Sequence, residues 1–146
     1  MRTTSKIAVT APLMVLQVVA VATRSPLHKR LPLWYHKQCC RILGFRIERT
    51  GTQSAANPTL YVANHSSYFD IMVLGSMIPG SFVAKAEVAQ WPFFGWLAKL
   101  QRTIFVDRRG RKSVDQRDEM TERLRAGDDL ILFPEGTSNE IGRAHV

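Results

Sequence analysis

Acidic residues are missing from the first third of this sequence. Between Met1 and Ile47 there are eight Lys or Arg and no Asp or Glu, and the whole chain of 146 residues carries a net charge of +8. A basic, acid-free segment around an apolar stretch suits the anionic surface of a bilayer. Nucleic acid is the competing polyanion, but the sequence shows no nucleic-acid-binding motif. We therefore expect membrane phospholipids as a partner, and no nucleic acid.

Cysteine is nearly absent too, since the chain has two cysteines and these are adjacent, Cys39 and Cys40. Neighbouring cysteines rarely bond to each other and no third is available, which excludes a disulfide framework. No second Cys/His pair has the spacing of metal ligands, so we predict no metal site. The two cysteines are best interpreted as small apolar residues on a helix.

No apolar run is long enough to cross a bilayer comfortably. The longest, residues 7–22, falls just short of the roughly 17–25 residues required. Basic residues flank it on both sides, and the positive-inside rule would hold both flanks on the cytoplasmic face. We favour an anchor in one leaflet over a single span, and a single span over a cleaved signal peptide. With a second helix predicted over residues 31–43, residues 1–44 are interpreted as membrane-anchoring helices.

After Gly44 the sequence changes to short apolar runs that alternate with helical patterns. Strands are predicted at residues 45–49, 59–63, 81–84, 103–106 and 130–133, where β-branched and aromatic residues cluster. Helices are predicted at residues 70–77, 92–100 and 113–126, the last of which ends at Gly127. This alternation predicts an α/β fold, a sheet flanked by helices, for residues 45–139.

The first candidate for chemistry follows a predicted strand, in the segment from Asn64 to Asp70. His65 and Asp70 are five residues apart, which on a continuous helix places them about 140° apart. They can meet if His65 lies in the turn before the helix and Asp70 in its first turn. The carboxylate would then hold one ring N–H and leave the other nitrogen basic. The alternative is a loop histidine bonded to backbone.

Two further segments end predicted strands. The run that ends in Asp107 and Arg108 places a guanidinium where it could bind a phosphate monoester. The run Phe133-Pro134 leads into a turn, Glu135, Gly136 and Thr137, whose backbone donors could bind an oxyanion. Alone, the first could be a solvated basic turn and the second merely a turn.

Together the segments resemble a known family. Asn-His-x4-Asp, Phe-Val-Asp-Arg and Phe-Pro-Glu-Gly-Thr-Ser, in this order, are similar to the 1-acyl-sn-glycerol-3-phosphate (lysophosphatidic acid) acyltransferases over residues 60–138. The resemblance implies an O-acyltransferase that moves a fatty acyl group from acyl-CoA or acyl carrier protein to 1-acylglycerol 3-phosphate, in phospholipid biosynthesis and without a cofactor. Lyso-ornithine lipid is an alternative acceptor, and a truncated, inactive lipid-binding module is an alternative function.

The resemblance also implies roles for individual residues. His65 would be the general base and Asp70 its orienting partner. Arg108 and the turn formed by Glu135, Gly136 and Thr137 would bind the substrate phosphate. Lys85 matches a family lysine that could join this site, although an exposed lysine that snorkels is an equal alternative.

The sequence departs from the family pattern at two places. Arg102 stands where the family often has Gly, which implies either a different backbone shape or an added phosphate contact. The family's next motif, a Val-Pro-Val-like strand, does not follow. Residues 140–146 can be encoded by GAG-ATC-GGA-AGA-GCA-CAC-GTC, the start of a common sequencing-library adapter, so we expect them to be an artefact and the catalytic domain to be C-terminally incomplete.

Overall fold

A computed structural model describes residues 2–107 and 113–134. Five helices are present in this part of the chain: α1 (Arg2–Ala22), α2 (Leu27–Leu43), α3 (Phe69–Gly75), α4 (Phe94–Leu100) and α5 (Ser113–Arg125). Four strands accompany them: β1 (Leu60–Val62), β2 (Ser81–Lys85), β3 (Ile104–Val106) and β4 (Leu130–Leu132). A 3₁₀ helix, Ala86–Gln90, connects β2 to α4.

The strands form one parallel sheet in the order β1-β4-β2-β3. A helical connection lies between each strand and the next one along the chain, as parallel pairing requires, because the chain must return to the starting edge before the next strand. The predicted α/β class is therefore confirmed. Since all four strands run in one direction, the loops that follow them meet along one edge of the sheet, here called the carboxyl edge.

Alternate residues of the strands build a core on each face of the sheet. On one face Phe82, Ile131 and Phe133 pack with Ile78 and with side chains of α3. On the other face Val83, Ile104 and Leu130 pack with Met120 and Leu124 of α5. Strands that are covered on both sides need apolar residues at successive positions, which explains why the β4 sequence Leu-Ile-Leu shows no polar alternation.

The two N-terminal helices pack against each other, and each contacts the α/β unit, α1 through α4 and α2 through α3. Gln17 stabilises this contact between the helices and the α/β unit through two hydrogen bonds. Its side-chain Nε2 donates to the carbonyls of His28 at 3.0 Å and Leu100 at 2.9 Å. Gln17, in the apolar second half of α1, therefore connects α1 to both α2 and α4. Within the described residues, no helix combines the length and the apolar character that crossing a membrane demands.

A cluster of charges lies at the opposite edge of the sheet from the carboxyl edge, where β4 begins. Asp128 is buried and pairs with Lys29 at 2.8 Å, Arg102 at 3.2 Å and Arg123 at 2.6 Å. Burial alone would raise the pKa of Asp128, but the hydrogen bonds from Lys29 and Arg123 and the nearby positive charges hold it below its usual value. The cluster links α2 to the sheet through Lys29.

Arg102 occupies the position at which the acyltransferase pattern often has glycine. Its φ is 59°, a left-handed conformation that glycine adopts without strain. The backbone therefore keeps the shape that favours glycine. The side chain pairs with Asp128 at 3.2 Å, at the opposite edge of the sheet from His65.

One predicted strand is absent. Residues 45–49 do not pair with another strand in the described structure, and residues 46–49 are exposed. The alternation in this segment reflects a solvated connection in which Arg46 and Glu48 pair at 3.1 Å. Phe45 contacts Phe69 edge-on, with 5.1 Å between the ring centroids. The other predicted strands and helices are confirmed, with ends shifted by a few residues.

Candidate active site

The carboxyl edge gathers the residues that the sequence singled out. His65 follows β1, Lys85 is the last residue of β2, Asp107 follows β3 and Phe133 follows β4. Functional groups of parallel α/β proteins commonly lie outside the carboxyl ends of the strands. The parallel topology thus brings four distant segments of the chain to one edge.

His65 and Asp70 meet directly. The distance from His65 Nδ1 to Asp70 Oδ2 is 3.2 Å. Contact is possible because α3 begins only at Phe69, so His65 lies in the turn before the helix and Asp70 in its first turn. With His65 neutral, Nδ1–H donates to the carboxylate and Nε2 keeps its lone pair. The side chain of His65 is 15% exposed, which leaves part of the ring accessible.

The carboxylate is held by the same turn. Asp70 Oδ2 accepts the backbone N–H groups of Ser66 and Ser67, each at 2.8 Å. Partial burial would raise the pKa of Asp70, but these two hydrogen bonds and the contact with His65 bring it below its usual value. Asp70 is therefore ionised at neutral pH and oriented toward the imidazole, as an orienting partner needs to be.

One face of the His65 imidazole lies against an aromatic ring. Phe133 stacks on the imidazole with 4.3 Å between ring centroids and 24° between the planes. The register places them together: β1 pairs with β4 from Leu60↔Leu130 to Val62↔Leu132, and the Ala63 N–H extends the pairing to the Leu132 carbonyl. Sequence reasoning missed this contact, because it depends on the register between β1 and β4, which no local signal reveals.

The proposed phosphate-binding residues are only partly described. Lys85 is half-buried at the end of β2, and β4 separates its strand from β1. Arg108, Glu135, Gly136 and Thr137 lie outside the described residues. Their immediate neighbours Asp107 and Pro134 are both described and follow β3 and β4 at the carboxyl edge.

Exposed aromatic side chains surround the turn that carries Asp70. Tyr68 and Phe69 flank it, and Tyr68 contacts Trp91 with 5.9 Å between ring centroids. Phe93, Phe94 and Trp96, at the start of α4, are exposed as well. Such a concentration of large exposed apolar groups is unusual for a soluble monomer and indicates an interaction surface.

The described residues contain no group of three or more His, Cys, Asp or Glu that could hold a metal ion. Neither cysteine forms a disulfide, and both belong to α2, in agreement with the predicted helix positions. Cys40 is buried. Its Sγ donates to the Met72 carbonyl at 3.5 Å, and burial raises the pKa of the thiol.

The structure is therefore a parallel α/β sheet with a carboxylate-oriented histidine at its carboxyl edge and exposed apolar side chains nearby. Residues 45–145 match the family model of the acyltransferases. The chain belongs to the acyltransferase family.

Its similarity to individual relatives extends over the N-terminal helices as well. The chain is 41% identical over 138 residues, 94% of its length, to the lyso-ornithine lipid O-acyltransferase of Brucella abortus, of which it covers 52%. Against the 1-acyl-sn-glycerol-3-phosphate acyltransferase of Neisseria gonorrhoeae it is 34% identical over 88 residues, 59% of this chain and 34% of that protein. The chain thus spans about half the length, or less, of these relatives.

The fold is shared with a solved structure, that of the 1-acyl-sn-glycerophosphate acyltransferase from Thermotoga maritima. The TM-score is 0.60 at 20% identity, and the alignment covers 95% of this chain and 64% of the other. At this identity the likeness shows the fold alone.

Proposed function

We propose that the complete protein transfers a fatty acyl group from a thioester to the hydroxyl of a lysolipid, with His65 as general base. The observation that carries this proposal is the 3.2 Å contact between His65 Nδ1 and Asp70 Oδ2, which leaves Nε2 basic. A positioned base is worth about 10²- to 10⁴-fold in rate.

The reaction would proceed without an acyl-enzyme. Nε2 of His65 takes the proton of the lysolipid hydroxyl as its oxygen attacks the thioester carbonyl. The tetrahedral intermediate collapses, the C–S bond breaks, and the departing thiolate receives the proton from the imidazolium. Asp70 stabilises that imidazolium through Nδ1–H. The donor would be acyl-CoA or acyl carrier protein, whose thioester is already activated.

Arg108 and the turn of Glu135, Gly136 and Thr137 are proposed to bind the acceptor's phosphate, with Lys85 as a further contact. Support comes from the strand order, because the described neighbours Asp107 and Pro134 follow β3 and β4 at the same edge as His65, and Lys85 ends β2 there. A guanidinium suits a phosphate monoester because it is permanently charged and can donate two parallel hydrogen bonds.

Two acceptors are compatible with this site, 1-acylglycerol 3-phosphate and lyso-ornithine lipid. The first agrees with the proposed cationic side chains Arg108 and Lys85. The second is favoured by the relatives, since lyso-ornithine lipid acyltransferases from Brucella abortus and Pseudomonas aeruginosa share 41% and 40% identity with this chain, against 34% for the Neisseria gonorrhoeae glycerophosphate enzyme. An ornithine headgroup carries an amine as well as a carboxylate, so a carboxylate such as Glu135 would have a partner there.

We also propose that residues 1–44 hold the protein on the cytoplasmic face of the membrane and that residues 45–139 form the N-terminal part of the catalytic domain. The exposed apolar side chains Val15, Leu16, Val18 and Val19 of α1 support this, as does the absence of acidic residues before Glu48. Anionic lipids attract such basic segments.

The test uses the complete gene product on anionic vesicles with a panel of lysolipid acceptors and a thioester donor, and it detects the released thiol. His65→Ala is expected to lower turnover by at least 10²-fold without loss of vesicle binding. His28→Gln is the matched control, because His28 lies at the Asp128 cluster, where its Nε2 contacts Arg102 at 2.7 Å. Unchanged turnover in His65→Ala would refute the assignment.

The acceptor arm of the same assay uses Arg108→Ala. We expect a loss chiefly with the phosphate-bearing acceptor. An equal loss with an acceptor that lacks phosphate would contradict the proposed role. A complete wild-type protein that binds vesicles and acylates none of the acceptors would favour the lipid-binding module.

A further inference from the structure

Hydrogen bonding alone holds the imidazole of His65 loosely. The single contact to Asp70 measures 3.2 Å, longer than the 2.7–2.9 Å typical of a charge-assisted N–H···O bond. One such contact also leaves the ring able to rotate about the line that joins the two atoms. A second restraint is needed to fix the direction in which Nε2 points.

The ring face of Phe133 provides that restraint. With the centroids 4.3 Å apart and the planes inclined by 24°, the phenyl ring blocks one whole side of the imidazole. Rotation about the contact with Asp70 would drive the imidazole into the phenyl ring. The two contacts act in different directions, one within the imidazole plane and one perpendicular to it.

Phe133 is itself immobilised by the core. It is 7% exposed and packs in the cluster with Ile78, Phe82 and Ile131. Phe82 stacks behind it with 6.2 Å between centroids and 14° between planes. His36 of α2 contacts Phe82 edge-on at 6.3 Å. Phe133 is therefore held by several core side chains and by its place after β4, and not by Phe82 alone.

We propose that Phe133 is a positioning residue for His65, whose ring face fixes the imidazole plane so that Nε2 is presented to the acceptor hydroxyl. This inference rests on the proposed function of His65. It assigns to the first residue of the Phe-Pro-Glu-Gly segment a role different from binding phosphate. The imidazolium formed during the reaction also lies against the electron-rich face of the phenyl ring, which attracts a cation.

The kinetic test compares Phe133→Leu with Phe82→Leu in the complete protein. Both variants remove a stacked ring from the same buried cluster, but only Phe133 contacts His65. We expect Phe133→Leu to lower kcat by about 10- to 100-fold, since a 1 Å misplacement can cost about 10²-fold, with KM within about twofold. Phe133→Tyr, which keeps the ring, should restore most of kcat.

The matched variant separates positioning from folding. Phe82→Leu is expected to lower Tm about as much as Phe133→Leu and kcat by less than about threefold. Equal losses of kcat in the two variants, in step with their losses of Tm, would overturn the proposal. So would a Phe133→Tyr variant that is folded but as slow as Phe133→Leu.

NMR spectroscopy tests the position of the His65 imidazole independently of turnover. NMR of the histidine-labelled protein should show the ring protons of His65 shifted by the ring current of Phe133, and Phe133→Leu should abolish this shift while Phe82→Leu preserves it. Unchanged His65 resonances in Phe133→Leu would refute the positioning role. If the wild-type protein shows no turnover, the proposed function fails, and the position of the imidazole is still judged by these resonances.

Discussion

Acidification should destabilise this protein through a histidine that the proposed reaction does not use. His36 of α2 is 5% exposed. Gln101 Nε2 donates to its Nε2 at 2.8 Å, and its Nδ1 has no partner among the described residues. Burial lowers the pKa of His36 from 6.5 to about 4, so the side chain is neutral in the folded protein at pH 7.

The size of this destabilisation follows from the pKa values of His36 in the unfolded and in the folded protein. In the unfolded chain His36 gains a proton as the pH falls through 6.5, whereas in the folded protein it stays neutral down to about 4. The unfolded state therefore binds more protons, and its stabilisation grows as the pH falls. The stability that the folded protein owes to neutral His36 is fully present above pH 6.5 and is lost as the pH falls toward 4. Between pH 7 and pH 5 the loss is about 2 kcal/mol in the free energy of unfolding.

Urea denaturation at pH 7 and pH 5 measures this loss, and His36→Gln isolates it. Other groups titrate equally in both proteins, so the difference between the two pH dependences belongs to residue 36. We expect the variant to lose about 2 kcal/mol less than the wild type over this range. The reasoning would be refuted if both proteins lost the same amount.

Two stability predictions follow from close contacts elsewhere. Asp128→Asn leaves three cationic side chains without their buried carboxylate and should cost about 2–4 kcal/mol, below the upper range for buried ion pairs because Lys29 is about a third exposed; the exposed Asp118→Asn is the control, and equal effects would contradict the cluster's importance. Gly75→Ala would place a Cβ 2.6 Å from His36 Cδ2 and should cost about 1–3 kcal/mol. The loss should shrink when His36→Ala is also present, and an unreduced loss would exclude this overlap as its cause.

Local sequence signals were sufficient for most of the fold. Apolar runs such as residues 81–84 and 130–133 predicted strands because β-branched and aromatic residues at consecutive positions suit a sheet covered on both faces. The strand predicted at residues 45–49 is absent from the described structure, because an alternating pattern alone does not supply a neighbouring strand to pair with. The spacing of His65 and Asp70 allowed a contact only if the helix began between them, and the start of α3 at Phe69 decides that.

The sequence by itself determined the class of fold and the order of its elements, because these depend on residue types and short spacings. Its resemblance to the acyltransferases singled out His65 and Asp70 as site candidates. Tertiary structure alone decided three features: which loops share the carboxyl edge, that Phe133 covers the face of His65, and that Arg102 pairs with Asp128 at the opposite edge. Each depends on strand order and register between segments tens of residues apart. Short-range periodicity carries no information about such pairings, since they are selected by the packing of the whole core.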